Sequence, residues 1–412
     1  MVRGSDVVVV GGGVIGSAVA YYAARRGLDV TLVDNPKRGR ASSASAGGLW
    51  PLGESVGLGC GVIFYKAAQS GGRDAVHSGP ERLPRSFLDF ALASRAMFSS
   101  LVDDLRDVAA TDVEFEKTSL LFAMYDDGDR AFARGLWEDY PEHRSSFEFL
   151  TPAEVATVEP ALTTELVGAL RFHGDDQLNP YQLADGLRAA ARAYGATILS
   201  HTEVTGVRRA GDRVTGVVTA EGVIACGTVV NAAGAWAGQL AGMAGVDVPV
   251  FPVRGQIVCT ETLPRVLKSC LSTTDCYLAQ KHHGEIIIGS TTEDVGFDTG
   301  VTAAAIGSLA AGAVRAVPSL AGVAIKRVWS GLRPGSPDEL PILGPVEGMS
   351  GLLLACGHFR TGILTAPLTG LILAGLAAGD PSVHPIEPFL LSRFKSTMAR
   401  PLLDLAAPLL AG

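Results

Sequence analysis

SDVVVVGGGVIGSAVAYYAARRGLDVTLVD, residues 5–34, carries the reading of the fold. Its first six residues are short, rich in valine and followed at once by glycine. A strand covered on both faces of a parallel sheet has that character. Residues 14–26 then predict a helix that stops at Gly27, a residue suited to the left-handed C-terminal cap. Residues 29–34 predict a second strand, so a strand–helix–strand unit closes within about 30 residues. Between the first strand and the helix stands Gly11-x-Gly13-x-x-Gly16. The first glycine permits a tight turn, the second lets a pyrophosphate approach the backbone, and the third lets the helix pack on the strand. Free N–H groups and the positive end of the helix dipole face the phosphates.

FAD, NAD and NADP all use such a unit. Asp34 ends the second strand, where a carboxylate accepts both ribose hydroxyls. Arg38 and Arg40 hint at a 2′-phosphate, but Asp34 would repel one. The small-residue run Ser42-Ser43-Ala44-Ser45-Ala46-Gly47-Gly48 lets backbone and hydroxyls lie along a long, bent cofactor, which favours FAD; alone it also reads as a flexible linker. Lys37, Arg38 and Arg40 form the densest basic cluster, either a solvated loop or a phosphate contact.

The remaining chain sets bounds. At 412 residues it exceeds one ordinary core and predicts about two domains. With 47% apolar and 18% charged residues it can bury a sizeable core. A net charge of −8 and no long basic run exclude a nucleic-acid binder. Six cysteines without a C-x-x-C fit neither a zinc nor an iron–sulfur site, and no metal is expected. Cys270 and Cys276 could pair, but free thiols are expected. Residues 7–24 and 361–379 are uncharged and long enough to span a bilayer. Glycines break the first and Pro367 interrupts the second, so both read as buried strand–turn–helix segments. No signal peptide is expected, which points to a cytoplasmic location.

Further elements are predicted as a helix over 86–108, strands within 113–125, a helix over 180–194, a hairpin of 204–209 with 214–219, and a strand over 223–231. Strand-like runs return at 250–260 and 285–292. A Gly/Pro-rich segment spans 329–345, a strand covers 352–355, and Pro367 opens a helix to Gly379. The fold class is α/β plus antiparallel β: a discontinuous nucleotide domain (1–85, 150–245 and 326–400) and a substrate domain (86–149 and 246–325).

Several further motifs, in order, carry a family resemblance: Asn231-Ala-Ala-Gly-Ala-Trp236, Arg254-Gly-Gln256, Trp329-x-Gly-Leu-Arg-Pro334, Pro341-x-Leu-Gly344 and Gly357-His-Phe-Arg-Thr-Gly-Ile-Leu364. With the Gly11 loop, Asp34 and Ser42–Gly48, they resemble the D-amino-acid oxidase and glycine oxidase type of FAD-dependent amine oxidoreductase over nearly the whole chain. The resemblance implies FAD as cofactor in a Rossmann-like domain joined to an antiparallel substrate domain. It implies FAD contacts at Gly11, Gly13, Val14, Ile15, Gly16, Asp34, Ser42, Ser43, Ala46, Gly47 and Gly48. Val204 would touch the adenine end, with Gly234, Trp236 and Gly331 added by motif. The loop His358, Phe359, Arg360, Thr361, Gly362, Ile363 and Leu364 would meet the flavin ring.

Ser45–Trp50 and Gly53–Phe64 resemble more narrowly the flavin subunits of heteromeric amino-acid dehydrogenases, among them those that turn glycine into hydrogen cyanide and carbon dioxide. Proline, D-hydroxyproline and opine dehydrogenase subunits, or an oxygen-using glycine oxidase, remain alternatives. Outside the class stands a redox-inert nucleotide-binding sensor or scaffold.

Oxidising an amino acid at its α-carbon requires an immobile carboxylate and a neutral amine. Arginine's planar fork suits the carboxylate, and the resemblance puts Arg333 in that role. Arg360 is the second candidate; it could instead support the flavin or pair with Asp338 or Glu339. Tyr277 is the third, either a substrate contact or a core tyrosine. His358 titrates near neutrality and tempts as a base, but its family position implies flavin tuning. His282-His283 reads as a turn. With no cluster-binding cysteines, electrons leave to oxygen or to partner subunits carrying iron–sulfur or flavin cofactors. The apolar Val56, Leu58, Val62, Ile63 and Phe64 read as an interface patch or as a cover for the flavin. Such partners could bring the chain to the inner membrane, and the apolar tail Pro401–Gly412 could dock on them.

Overall fold

The computed structural model describes residues 4–58 and 82–394. Its first sheet is built around the opening valine run. Strand Ser5–Val10 lies parallel to Val30–Asp34 on one side and to Gly222–Asn231 on the other. Val30–Asp34 pairs in parallel with Thr197–Ser200, and Gly222–Asn231 with Met349–Cys356. The antiparallel strands Gly206–Ala210, Arg213–Thr219 and Ile342–Val346 complete it. Val7, Val8 and Val9 are fully buried, which is why the run shows no alternation.

Helix Val14–Arg25 packs against helix Gly362–Ala377 so closely that a Cβ on Gly370 would stand 2.8 Å from the Ala18 backbone. Pro367 lies inside the second helix rather than opening it, a difference from the sequence expectation. A proline removes one rung of the ladder and crowds the carbonyl four residues back. At the next rung Ser94 fills the gap. Its hydroxyl donates to Leu364 O at 2.8 Å and accepts from Leu368 N at 3.2 Å. Ser94 belongs to helix Arg85–Ala96, the first half of the helix expected over 86–108. That stretch breaks at Met97 before Phe98–Ala109.

The second sheet has eight strands and is almost wholly antiparallel. Strand Ile325–Gly335 forms one edge, pairing with Phe251–Thr260 along its length. This is the segment read as merely Gly/Pro-rich; an edge strand tolerates Pro334 because the missing N–H faces no ladder partner. Gly168–His173 sits deeper in the same sheet. Both strands were expected with the nucleotide unit, so the crossover between the two sheets is more interleaved than the sequence suggested. Residues 113–118 form no strand; only Ser119–Met124 does. Val56 and Leu58, read as part of an interface patch or of a cover for the flavin, are fully buried, since they pack with Trp50, Leu120 and Phe122 beneath this sheet, which removes them from an exposed patch. Val62, Ile63, Phe64 and Pro401–Gly412 lie outside the described residues.

Backbone hydrogen bonds tie the sheets together: Leu332 N donates to Gly39 O at 2.7 Å, beside a bridge of Arg40 with Leu332, and Phe359 N donates to Pro334 O at 2.9 Å. A long cleft runs between the sheets across this junction.

Candidate functional site

The cleft begins at the glycine loop. Gly11 has φ +110°, and a Cβ there would overlap Ala232 O. A Cβ on Gly12 would fall 2.6 Å from Asp34 Cγ. Gly12 N instead donates to Asp34 Oδ1 at 2.8 Å, and Val14 N to Ser42 Oγ at 2.9 Å. The bare backbone therefore forms a cradle that any side chain would fill.

Asp34 does not stand alone. Arg40 Nη2 lies 2.6 and 2.8 Å from its two oxygens, and Lys37 pairs with Glu203 at 3.0 Å. Arg40 and Lys37, beside the adenosine end, are thus each matched by a carboxylate. Val204 and Trp236 line this end as well.

The far end gathers the candidate catalytic residues. Arg333, Tyr277, His358 and Arg360 all line the cleft, with Trp50 and Glu54. Two glycines clear space for two of these side chains. A Cβ on Gly255 would overlap the Arg333 guanidinium, and one on Gly289 would overlap the Tyr277 hydroxyl. Arg333 donates from Nη1 to Thr291 O at 3.1 Å and from Nη2 to Ser290 Oγ at 2.5 Å. Neither partner is a carboxylate, and among the described residues Arg333 makes no ion pair.

Arg360 differs. Its Nε donates to Glu54 Oε2 at 2.6 Å, its Nη2 to Glu54 O at 3.3 Å, and its Nη1 pairs with Glu339. Of the two pairings weighed from the sequence, Glu339 is the one seen; Asp338 binds Arg393 at 2.7 Å. Burial pushes the Glu54 carboxyl above its ordinary range, against the pull of Arg360 and Arg333, with Glu339 adding to the rise. His358 is 2% exposed, with Nε2 3.2 Å from Thr369 Oγ1. Burial drops its pKa to about 3, so the ring is neutral and a poor proton acceptor at physiological pH.

Gly16, Ser43, Thr361 and Leu364 do not line the cleft. Gly16 is pressed under the loop, where a Cβ would overlap Gly11 O. Ser43 Oγ turns to Arg40 O at 3.1 Å. Thr361 Oγ1 turns to His358 O at 2.9 Å, and Leu364 is core. The remaining expected contacts, from Gly11 to Ile363, are on its wall. Trp50, Glu54 and Gly12 were missed as site residues, and Arg40, read as a candidate phosphate contact, instead binds Asp34. The run after Gly48 gave the one available signal for Trp50 and Glu54, a tryptophan and a carboxylate inside an otherwise apolar stretch.

A glycine cradle, a ribose-side carboxylate and a cleft that continues past both sheets suit FAD, which is longer than a mononucleotide. Among the described residues no group of three or more His, Cys, Asp or Glu could hold a metal ion. Cys270 and Cys276 are free thiols.

Comparison with known proteins fits this geometry. The family model described as FAD dependent oxidoreductase matches residues 6–376. The chain is 48% identical over 405 residues to hydrogen cyanide synthase subunit HcnC of Pseudomonas protegens, covering 96% of this chain and 97% of that one. It is 33% identical to glycine oxidase of Pseudomonas putida, over 92% of this chain and 96% of the relative. The crystal structure of glycine oxidase from Geobacillus kaustophilus superposes with a TM-score of 0.84 at 30% identity, covering 95% of this chain and 99% of that one.

Proposed function

The chain belongs to the family of FAD dependent oxidoreductases, and on that footing we propose that it oxidises the C–N bond of a small amino acid, with glycine the substrate and hydrogen cyanide and carbon dioxide the products. It acts in this reading as the flavin subunit of a heteromeric dehydrogenase. The observation that carries the substrate class is Arg333: a fixed guanidinium on the cleft wall with no carboxylate partner among the described residues.

FAD, when bound, supplies an acceptor for the hydride. The chain's own residues do the rest. Arg333 receives the substrate carboxylate through two parallel N–H donors, held by Ser290 and Thr291. Tyr277 and Trp50, in edge contact at 5.9 Å, wall a space suited to a small side chain. His358, buried and neutral, holds its place by Thr369 and adds no charge. Arg360, already neutralised, supports the wall. Conversion of glycine to cyanide and carbon dioxide releases four electrons, two per oxidation, and the first product is an imine that keeps the carboxylate. Arg333 therefore serves both steps.

The curated relative above is named as a subunit, which supports partner subunits here too; in this reading they carry the next redox group, iron–sulfur or flavin. No helix among the described residues is long and apolar enough to cross a membrane. Any inner-membrane association would then run through those partners.

Anaerobic flavin reduction of the chain copurified with its partners, with glycine, proline, D-hydroxyproline and an opine in parallel, tests the proposal. Bleaching by glycine with cyanide in the same tube is expected, and Arg333→Ala should slow it while FAD stays bound. Bound flavin that none of these amines reduces would overturn the reading in favour of a redox-inert nucleotide binder. Reduction by glycine without cyanide would leave an oxidase or simple dehydrogenase.

A further inference from the structure

We propose that Glu54 is a catalytic base that takes a proton from the substrate ammonium, an inference that rests on the amino-acid reading of the site. Three observations meet at this residue. It lines the same end of the cleft as Arg333 and Tyr277. Its Oε2 is held by Arg360 Nε at 2.6 Å, which fixes the carboxylate's orientation. Its Oε1 has no hydrogen-bond partner among the described residues, although the residue is only 8% exposed.

The charges complete the argument. Arg333 and Arg360 face Glu54 and Glu339, so the four groups sum to zero. A zwitterion keeps that balance, with its carboxylate on Arg333 and its ammonium on Glu54. An amino acid is mostly zwitterion at neutral pH, and hydride can leave the α-carbon only when nitrogen has a lone pair to offer. One N–H bond must break first. Its electron pair stays on nitrogen, and the proton forms an O–H bond at Oε1. Burial raises the basicity of this carboxyl, which is what a proton acceptor working near neutrality needs. Behind it lies Asp175, whose Oδ2 accepts from Gly53 N at 3.0 Å. Burial pushes that carboxyl well above its ordinary range too, and the two oppose each other's ionisation. Among the described residues, Arg333, Arg360, Glu339 and Asp175 are the charged groups that act on Glu54 and its helix.

The test compares the FAD-loaded chain with Glu54→Gln and Glu54→Asp. Gln keeps an oxygen for Arg360 but cannot take a proton. With glycine, the rate of anaerobic flavin reduction should fall about 100-fold at neutral pH in the Gln variant. The deficit should shrink about tenfold per pH unit as the amine's own pKa is approached, and Asp should recover part of the rate. A deficit equal at every pH, or none, overturns the proposal.

Acetate, which has the carboxylate and no amine, gives a second readout without turnover. Its binding, followed by flavin absorbance, should weaken with rising pH in the unaltered chain, because two carboxylates then meet. In the Gln variant it should be tighter and flat. Coincident pH curves overturn the proposal. An unaltered chain that glycine never reduces overturns the amino-acid reading and the proposal with it. Acetate linkage seen alongside that failure assigns the fault to the substrate, not to the placement of Glu54.

Discussion

Replacing Arg360 with methionine separates the two arginines of the site by stability alone. The Arg360 side chain is 4% exposed and that of Glu54 11%, so loss of the cation leaves a buried carboxylate without its partner. Such a carboxylate protonates instead. Protonating a carboxyl of ordinary value 4.5 at pH 7 costs about 3.4 kcal/mol at 1.36 kcal/mol per unit, and the native carboxyl, already pushed up by burial, bears part of that. Breaking buried pairs costs about 3–5 kcal/mol in general. Glu339, about a third exposed, adds little after solvent screening. The expected loss is therefore about 2–3 kcal/mol, read as a shift in the urea midpoint at saturating FAD. The sign in pH follows: the variant raises the folded-state pKa of Glu54 further, so the penalty is full at neutral pH and fades as pH falls toward 4.5. Arg333→Met breaks no ion pair among the described residues and removes only a longer-range pull on Glu54, so it should cost under about 1 kcal/mol. Equal losses in the two variants, or a loss under about 1 kcal/mol for Arg360→Met, would refute the reasoning.

Ser94→Ala removes the partner of Leu364 O and Leu368 N inside the core; at about 1–3 kcal/mol for each buried group, thermal unfolding should show a loss of about 2–6 kcal/mol. Because His358 titrates about 3 when folded and near 6.5 otherwise, the unfolded chain binds the extra proton between those values. Stability should decline as pH falls through that window, by at most about 1.4 kcal/mol per unit, and His358→Gln should flatten this part of the urea-midpoint profile. A Cβ on Gly331 would overlap Ala44 Cβ, displacing the turn that presents Ser42. Gly331→Ala should therefore lose FAD on dialysis, with far-UV dichroism unchanged. Cys270 and Cys356 are buried with thiols pushed up to about 12, so iodoacetamide followed by mass spectrometry should modify them only after unfolding.

The first sheet was legible because its centre is a parallel unit whose strands are unbroken apolar runs and whose turn needs glycine. Arg333 and His358 were legible as motif positions. What each does was not, since an arginine's partners lie far along the chain: Glu54 and Arg360 are 306 positions apart. No local pattern marks Glu54 as half of a pair, so it passed as part of an apolar segment. Pro367 misled for a similar reason. Its helix survives inward because Ser94, from another helix, repairs the ladder, and sequence spacing cannot show a repair made from outside. Strand Ile325–Gly335 was hidden by glycine and proline that only an edge position excuses.

The bond from Leu332 N to Gly39 O has a mechanical consequence. Residue 332 clamps the loop that flanks the adenosine end, and residue 333, one peptide further, carries the guanidinium for the substrate. Loop and guanidinium are riveted to one stiff strand. A shear between the two sheets would drag both together, so the span from cofactor anchor to substrate anchor works as a fixed gauge, and an amine is measured against a length already set before it arrives.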